Sequence, residues 1–132
     1  MKLRIYGNNV RLRLNQPEVR QLASGQPIEE RTDLPPEPLA YRIESSPTAD
    51  AITASFARSG LRVTVPAAIA RRWAGGDDVA LAADVPSARA GAEPVRLLIE
   101  KDFQCLHGSA EEQSECFPNP RARATADAPL SP

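Results

Sequence analysis

The sequence repeats itself, and the repeat constrains the fold more than any other feature. Shifting the chain by 51 positions aligns residues 10–28 with residues 61–79, and a shift of 56 aligns 37–44 with 93–100. The second copy therefore carries five additional residues around 86–92. A register kept over several segments favours an internal duplication. The aligned pairs include Val10/Leu61, Arg11/Arg62, Leu12/Val63, Leu14/Val65, Arg20/Arg71 and Leu22/Trp73.

Each half has the pattern of two strands, a short helix and two further strands. Residues 2–6 and 10–14 alternate polar with apolar side chains, which predicts two strands joined by a turn at 7–9. Asn15 is positioned to cap a helix that ends near Gly25. Strands are then predicted from residue 28 and over 39–43. The second half repeats this with strands over 52–56, 61–65, 79–83 and 95–99, and with a helix from Pro66 to Gly75-Gly76.

The two helices are predicted to be short, so each must be stabilised by packing on a sheet. We expect Val19 and Leu22 of the first helix, and Ile69 and Trp73 of the second, to face inward. The fold class that follows is α+β: duplicated ββαββ units with a mostly antiparallel sheet, arranged as a sandwich or barrel, and an irregular C-terminal tail. We expect one domain over 1–120, with repeats at 1–45 and 52–101, a tail motif at 101–120 and a disordered end at 121–132.

Composition excludes several classes of protein. The 132-residue chain has a net charge of −1, which disfavours a general nucleic-acid binder. It has no apolar run of the roughly 18 residues that span a membrane, and its first residues do not form a signal peptide. We therefore expect a cytoplasmic protein without a membrane partner. Phosphate-binding loops, nucleophile elbows and zinc-protease motifs are not found in the sequence.

The segment after the second repeat contains both cysteines and the only histidine. Thiolate and imidazole groups suit zinc, copper or iron, and four ligands would complete a tetrahedral zinc site. The spacing Cys-x-His on an extended chain places both side chains on one face. The predicted metal ligands are Cys105, His107, Cys116 and Asp102.

Three other interpretations of this segment remain open. Cys105 and Cys116 could form a disulfide, although a reducing cytoplasm disfavours it. Cys105 could be a nucleophile activated by His107, but no glycine-rich turn surrounds it, so the pattern does not favour an enzyme. Phe103, Cys105 and Phe117 could instead dock the tail on the core.

Cationic side chains gather on the outward face of the first predicted hairpin. They could bind an anionic ligand or an acidic partner, or they could be a solvated surface neutralised by acidic residues on the next segment. The residues are Lys2, Arg4, Arg11 and Arg13.

Residues 61–79 read strand, proline, short helix, Gly-Asp and strand, and in this they resemble the AbrB-type DNA-binding half-barrel. The first half repeats the pattern with Pro17 and Gly25. The resemblance implies DNA contacts through arginines of both halves. The residues implied are Arg11, Arg13, Arg62 and Arg71, together with Arg20 and Arg58.

Two terminal motifs resemble a family of small uncharacterised bacterial proteins, a domain of unknown function. They are MKLRIYGNNVRLRL at the start and, near the end, residues 99–105 (IEKDFQC) with 117–120 (FPNP). The resemblance covers about residues 1–121 and implies no activity or cofactor. The sequence as a whole favours a non-enzymatic accessory or binding protein. Transition-metal binding through the Cys/His tail is the concrete form of this prediction. The alternatives are an AbrB-like nucleic-acid-binding regulator and a purely structural or protein-interaction domain, and no partner is identified.

Overall fold

A computed structural model describes residues 1–103 and Phe117. The first half of the chain forms two strands, a helix and two strands, and the second half forms the same series. The elements are β1 (Lys2–Tyr6), β2 (Asn9–Leu14), α1 (Gln16–Ala23), β3 (Ile28–Thr32), β4 (Leu39–Ser46), β5 (Thr53–Ala57), β6 (Gly60–Pro66), α2 (Ala67–Gly75), β7 (Ala80–Val85) and β8 (Val95–Lys101).

The strands form two four-stranded sheets, and each sheet takes one hairpin from each half. Sheet A has the order β1-β2-β8-β7 and sheet B has the order β3-β4-β6-β5. The central pairs β2/β8 and β4/β6 are parallel, and the outer pairs are antiparallel. Exchanging β1–β4 with β5–β8 converts one order into the other, so the two sheets have equivalent topologies. The predicted α+β class with mostly antiparallel pairing is confirmed.

One apolar core lies between the sheets. Leu12, Leu97 and Ile99 of sheet A face Ile43 and the valines of sheet B, and all are buried. The sheets are two separate open sheets, so the arrangement is a sandwich and not a closed barrel. Buried residues also occur as pairs related by the sequence repeat: Leu12/Val63, Leu14/Val65, Val19/Ala70, Leu22/Trp73 and Ile43/Ile99.

The two helices contact each other at the end of the sandwich where β2 and β6 finish, and both also contact strands of sheet B. Helix α1 begins with a capping box, in which Asn15 Oδ1 accepts from Glu18 N at 3.0 Å and Glu18 Oε1 accepts from Asn15 N at 3.0 Å. Val19 and Leu22 are buried, as predicted. Helix α2 follows Pro66 without a side-chain cap.

Two details of the second half refine the sequence predictions. Ile69 is partly buried and packs against the core, whereas Ala70 is fully buried together with Trp73. Strand β7 begins at Ala80, which leaves Val79 outside the strand and 53% exposed.

None of the helices in the described part of the chain is long and apolar enough to cross a membrane. The tail motif is described only at its two edges, where Phe103 and Phe117 form an isolated parallel bridge. The predicted disordered end at 121–132 lies outside the described residues.

Candidate functional site

The sandwich is open at the end opposite the helices, where an apolar groove lies between the inner faces of the two sheets. We call it the axial groove, because equivalent residues of the two halves line it from opposite sides. Its volume is about 520 Å³. The equivalent pairs in its lining are Leu3/Ala54, Ile5/Phe56, Val10/Leu61 and Leu39/Val95.

Large apolar side chains are unusually accessible along the axial groove. Ile5 is 61% exposed and its counterpart Phe56 is 65% exposed. The groove loses its symmetry on one side, where Pro86 and Ala88 also line it. Both belong to residues 86–92, which have no aligned counterpart in the first half.

The outer face of sheet A carries a ladder of polar side chains, which we call the cationic face. Strand register places Arg4 opposite Arg11 and Arg11 opposite Leu98. The next row places Tyr6 opposite Asn9 and Asn9 opposite Arg96. These six side chains line a shallow cleft of about 340 Å³. Like charges directly opposite each other on neighbouring strands are destabilising, so the Arg4–Arg11 pairing costs folding free energy.

Acidic groups neutralise the cationic face only in part. Glu100 is shared, with its carboxylate 3.7 Å from Arg11 Nε and 3.1 Å from Arg13 Nε. Asp84 lies 3.6 Å from Arg96. Among residues 1–103 no ion pair involves Arg4.

The outer face of sheet B offers an internal comparison. Arg42 and Arg62 are also directly opposite each other, on β4 and β6. Here two carboxylates neutralise them, since Glu44 lies 3.0 Å from Arg42 and 3.6 Å from Arg62, and Glu29 lies 3.6 Å from Arg42. Ser55 of β5 lies opposite Arg62 at the position that Arg4 occupies in sheet A.

The arginines implicated in DNA binding are not gathered on one surface. Arg11 and Arg13 lie on the outer face of sheet A, and Arg62 lies on the outer face of sheet B. The core separates these two faces, and Arg71 is exposed on α2. The residues of the predicted nucleic-acid site are thus divided among three surfaces.

Of the four predicted metal ligands, only Asp102 belongs to the described residues. Cys105, His107 and Cys116 lie outside them. The Asp102 carboxylate is 3.3 Å from Lys2 Nζ, and its backbone carbonyl accepts from Phe117 N at 2.8 Å. Within residues 1–103 and Phe117, no three His, Cys, Asp or Glu side chains form a group that could hold a metal ion.

Lys101 is a buried cation that lies outside the sites predicted from the sequence. It is 7% exposed, and its Nζ donates to Gly76 O at 2.9 Å. The same Nζ lies 5.7 Å from the Trp73 ring centroid and 5.3 Å from that of Phe117, which is cation–π geometry. The signal was available, because Lys101 continues the inward alternation of Leu97 and Ile99.

Tyr41 lies where β4 approaches the first residue. Its hydroxyl donates to Met1 O at 3.4 Å. Burial raises the pKa of Tyr41, and the nearby carboxylates of Glu30 and Glu18 raise this pKa further. The phenol is therefore protonated at neutral pH and serves as a structural donor.

Comparison with known proteins gives one match. Residues 1–121 match the model of DUF7009, a family of unknown function. Searches against curated proteins and against solved structures gave no match. The match includes both halves of the sandwich and the bridge between Phe103 and Phe117, and it confirms the resemblance to a domain of unknown function. The chain belongs to the DUF7009 family.

Proposed function

We propose that this protein is a non-catalytic binding protein that takes an apolar segment of a partner protein in the axial groove. One observation carries the proposal. Two large side chains at equivalent positions, Ile5 and Phe56, are kept more than half exposed on either side of an apolar groove. Soluble proteins rarely expose contiguous apolar surface unless it serves an interaction.

The lining of the groove favours binding over catalysis. Among the described residues that line it, Ser55 is the only polar one, and the others are aliphatic, aromatic or proline. Acid–base or nucleophilic chemistry needs a titratable group within hydrogen-bond reach of the reacting atom. The exposed rim favours a protein segment over a small molecule, because small-molecule sites enclose most of the ligand surface.

The proposal also includes the organisation of the chain. We infer that residues 1–120 form one domain that arose by internal duplication, a view supported by the equivalent sheet topologies and the paired core residues. The inserted residues at 86–92 would then be a later change that made one side of the groove distinct. A cytoplasmic location, expected from the sequence, belongs to the same proposal.

Titration with Nile red, an apolar fluorescent dye, tests the groove. We expect the double variant Ile5→Ser/Phe56→Ser to bind the dye at least about tenfold more weakly, since each large apolar side chain contributes about 1.5–3 kcal/mol when covered. Val79→Ser is the matched control, because Val79 is similarly exposed but lies outside the groove. Equal loss of binding in the control, or no loss in the double variant, would remove the proposal.

Metal binding through the tail is a second candidate function. It is supported by the bridge between Phe103 and Phe117, which joins the two ends of the segment 104–116 next to Asp102. Cys105, His107 and Cys116 belong to that segment or to its edge. The bound ion would be zinc, copper or iron, given thiolate, imidazole and carboxylate ligands.

Titration of the reduced full chain with zinc and with copper(I) tests this candidate. We expect tight binding by the native protein and a loss of about a hundredfold in Cys105→Ser and in His107→Ala, since each removes a direct ligand. Asp50→Asn, a carboxylate change outside the tail, serves as the control. Micromolar or weaker affinity in the native protein would exclude the tail as a metal site.

A further inference from the structure

We propose that the partner segment is an extended strand that pairs with the edge of β1 left uncovered by the described strands, and that it alternates apolar with acidic side chains. The inference rests on the proposed function of the axial groove and adds the conformation and charge of the occupant. It follows from the two different surfaces that meet along β1.

Strand β1 is an edge strand whose two faces differ in chemistry. Among the described strands it is hydrogen-bonded only to β2, so no described strand covers its other edge beside Leu3 and Ile5. Leu3 and Ile5 face the axial groove, whereas Arg4 and Tyr6 face the cationic cleft. A strand added to this edge would alternate its side chains in the same way, with one set covering Leu3 and Ile5 and the other set beside Arg4.

The charge of the cationic face determines which side chains of the added strand would lie beside Arg4. Arg4 and Arg11 are opposed across the β1/β2 pair, and among the described residues the one carboxylate that forms an ion pair with either of them is that of Glu100, which Arg13 shares. An acidic side chain beside Arg4 would supply the missing negative charge. The repulsion between Arg4 and Arg11 costs stability in the free protein, and an acidic partner would relieve it.

The equivalent edge in the other half does not have these properties. Strand β5 has Ser55 in the place of Arg4, and the neighbouring Arg42 and Arg62 are neutralised by Glu29 and Glu44. Of these two edges, and as far as residues 1–103 are concerned, β1 therefore combines the groove with positive charge that is neutralised only in part. This difference selects β1 over β5 as the docking edge.

The test uses two short blocked peptides with the uniformly ¹⁵N-labelled full chain. One peptide alternates valine with glutamate, and the other alternates valine with lysine. We expect the glutamate peptide to shift the backbone amide signals of Lys2–Tyr6, with an affinity that falls as salt is raised, and the lysine peptide to cause no saturable shift.

Three variants distinguish the contribution of charge to peptide binding from the contribution of the groove. Arg4→Glu should weaken the glutamate peptide about tenfold while leaving Tm at or above that of the native protein, because it removes the Arg4–Arg11 repulsion. Arg62→Glu, on the opposite outer face, should leave the peptide affinity unchanged. Ile5→Ser should weaken both this peptide and Nile red.

Three results would overturn the inference. Equal affinity for both peptides would show that the partner strand does not need acidic side chains. If the largest shifts occurred at β5, the docking edge would not be β1. Failure of both peptides to bind would rule out the addition of a partner strand to β1. In each case the Nile red titration of the groove variants still decides the proposed function separately.

Discussion

Trp73→Ala is expected to lower the free energy of unfolding by about 3–5 kcal/mol, the cost of emptying a large buried aromatic site. Trp73 is 2% exposed and joins α2 to the core that lies between the sheets. Its ring also lies beside the buried ammonium of Lys101. Both the packing and the cation–π contact are lost in the variant.

The measurement is urea denaturation followed by far-ultraviolet circular dichroism, because Trp73 is the only tryptophan and its own fluorescence disappears. Val79→Ala, at an exposed position, is the control and should change the unfolding free energy by less than about 0.5 kcal/mol. A loss of less than about 1 kcal/mol in Trp73→Ala would contradict the buried position of this side chain.

Lys101→Glu is expected to destabilise the fold by about 3 kcal/mol or more. The native ammonium donates to Gly76 O and lies over two aromatic faces, each of which attracts a cation. A carboxylate at the same place meets the carbonyl oxygen and the negative ring faces, so both interactions become repulsive. A charge-assisted hydrogen bond alone contributes about 1.5–3 kcal/mol.

Two comparison variants isolate the cause of this loss. Lys101→Met keeps the apolar stem and should lose only the hydrogen bond and the charge, so its effect should be smaller. Lys2→Glu makes the same charge change at a side chain that is 67% exposed, and it should cost less than about 1 kcal/mol in the same denaturation experiment. Equal losses in Lys101→Glu and Lys2→Glu would show that burial of Lys101 is not the cause.

Local structure could be predicted from the sequence because short-range physics determines it. The position of Asn15 just before a helical pattern predicts its role as a cap, and alternation over residues 10–14 predicts the strand in which Leu12 and Leu14 are buried. Val63 and Val65 align with Leu12 and Leu14 in the repeat, which predicts that they also face inward, and both are buried. Residues in equivalent surroundings keep similar chemistry, which is why the alignment of the two halves can be detected in the sequence.

Pairing between the halves could not be predicted, because no local pattern specifies which distant strand becomes a neighbour. The parallel pairs β2/β8 and β4/β6 join strands that lie far apart in the sequence. The axial groove follows from this pairing, since it forms where the two sheets separate at their open end. Alternation correctly places Ile5 on the inner face, but only the assembled sandwich leaves it exposed.

The sequence pattern favours a site in the tail, and this stays a prediction because Cys105, His107 and Cys116 lie outside the described residues. The groove and the cationic face lie in the two four-stranded sheets. Chemistry-bearing residues such as Cys105 and His107 are conspicuous in a sequence. An apolar groove is not, because its residues look like those of any core. The cationic residues Arg4 and Arg11 were identified, but their direct opposition across β1 and β2 required the strand register.

If the axial groove is a binding surface, it should bind indole, a small apolar ligand. Indole would be titrated into the ¹⁵N-labelled full chain while every backbone amide signal is followed. We expect saturable shifts at the open end, around Ile5, Phe56 and Val85, which line the groove. Shifts centred on Val79 and Lys101 at the helical end, or no saturable shifts at all, would contradict it.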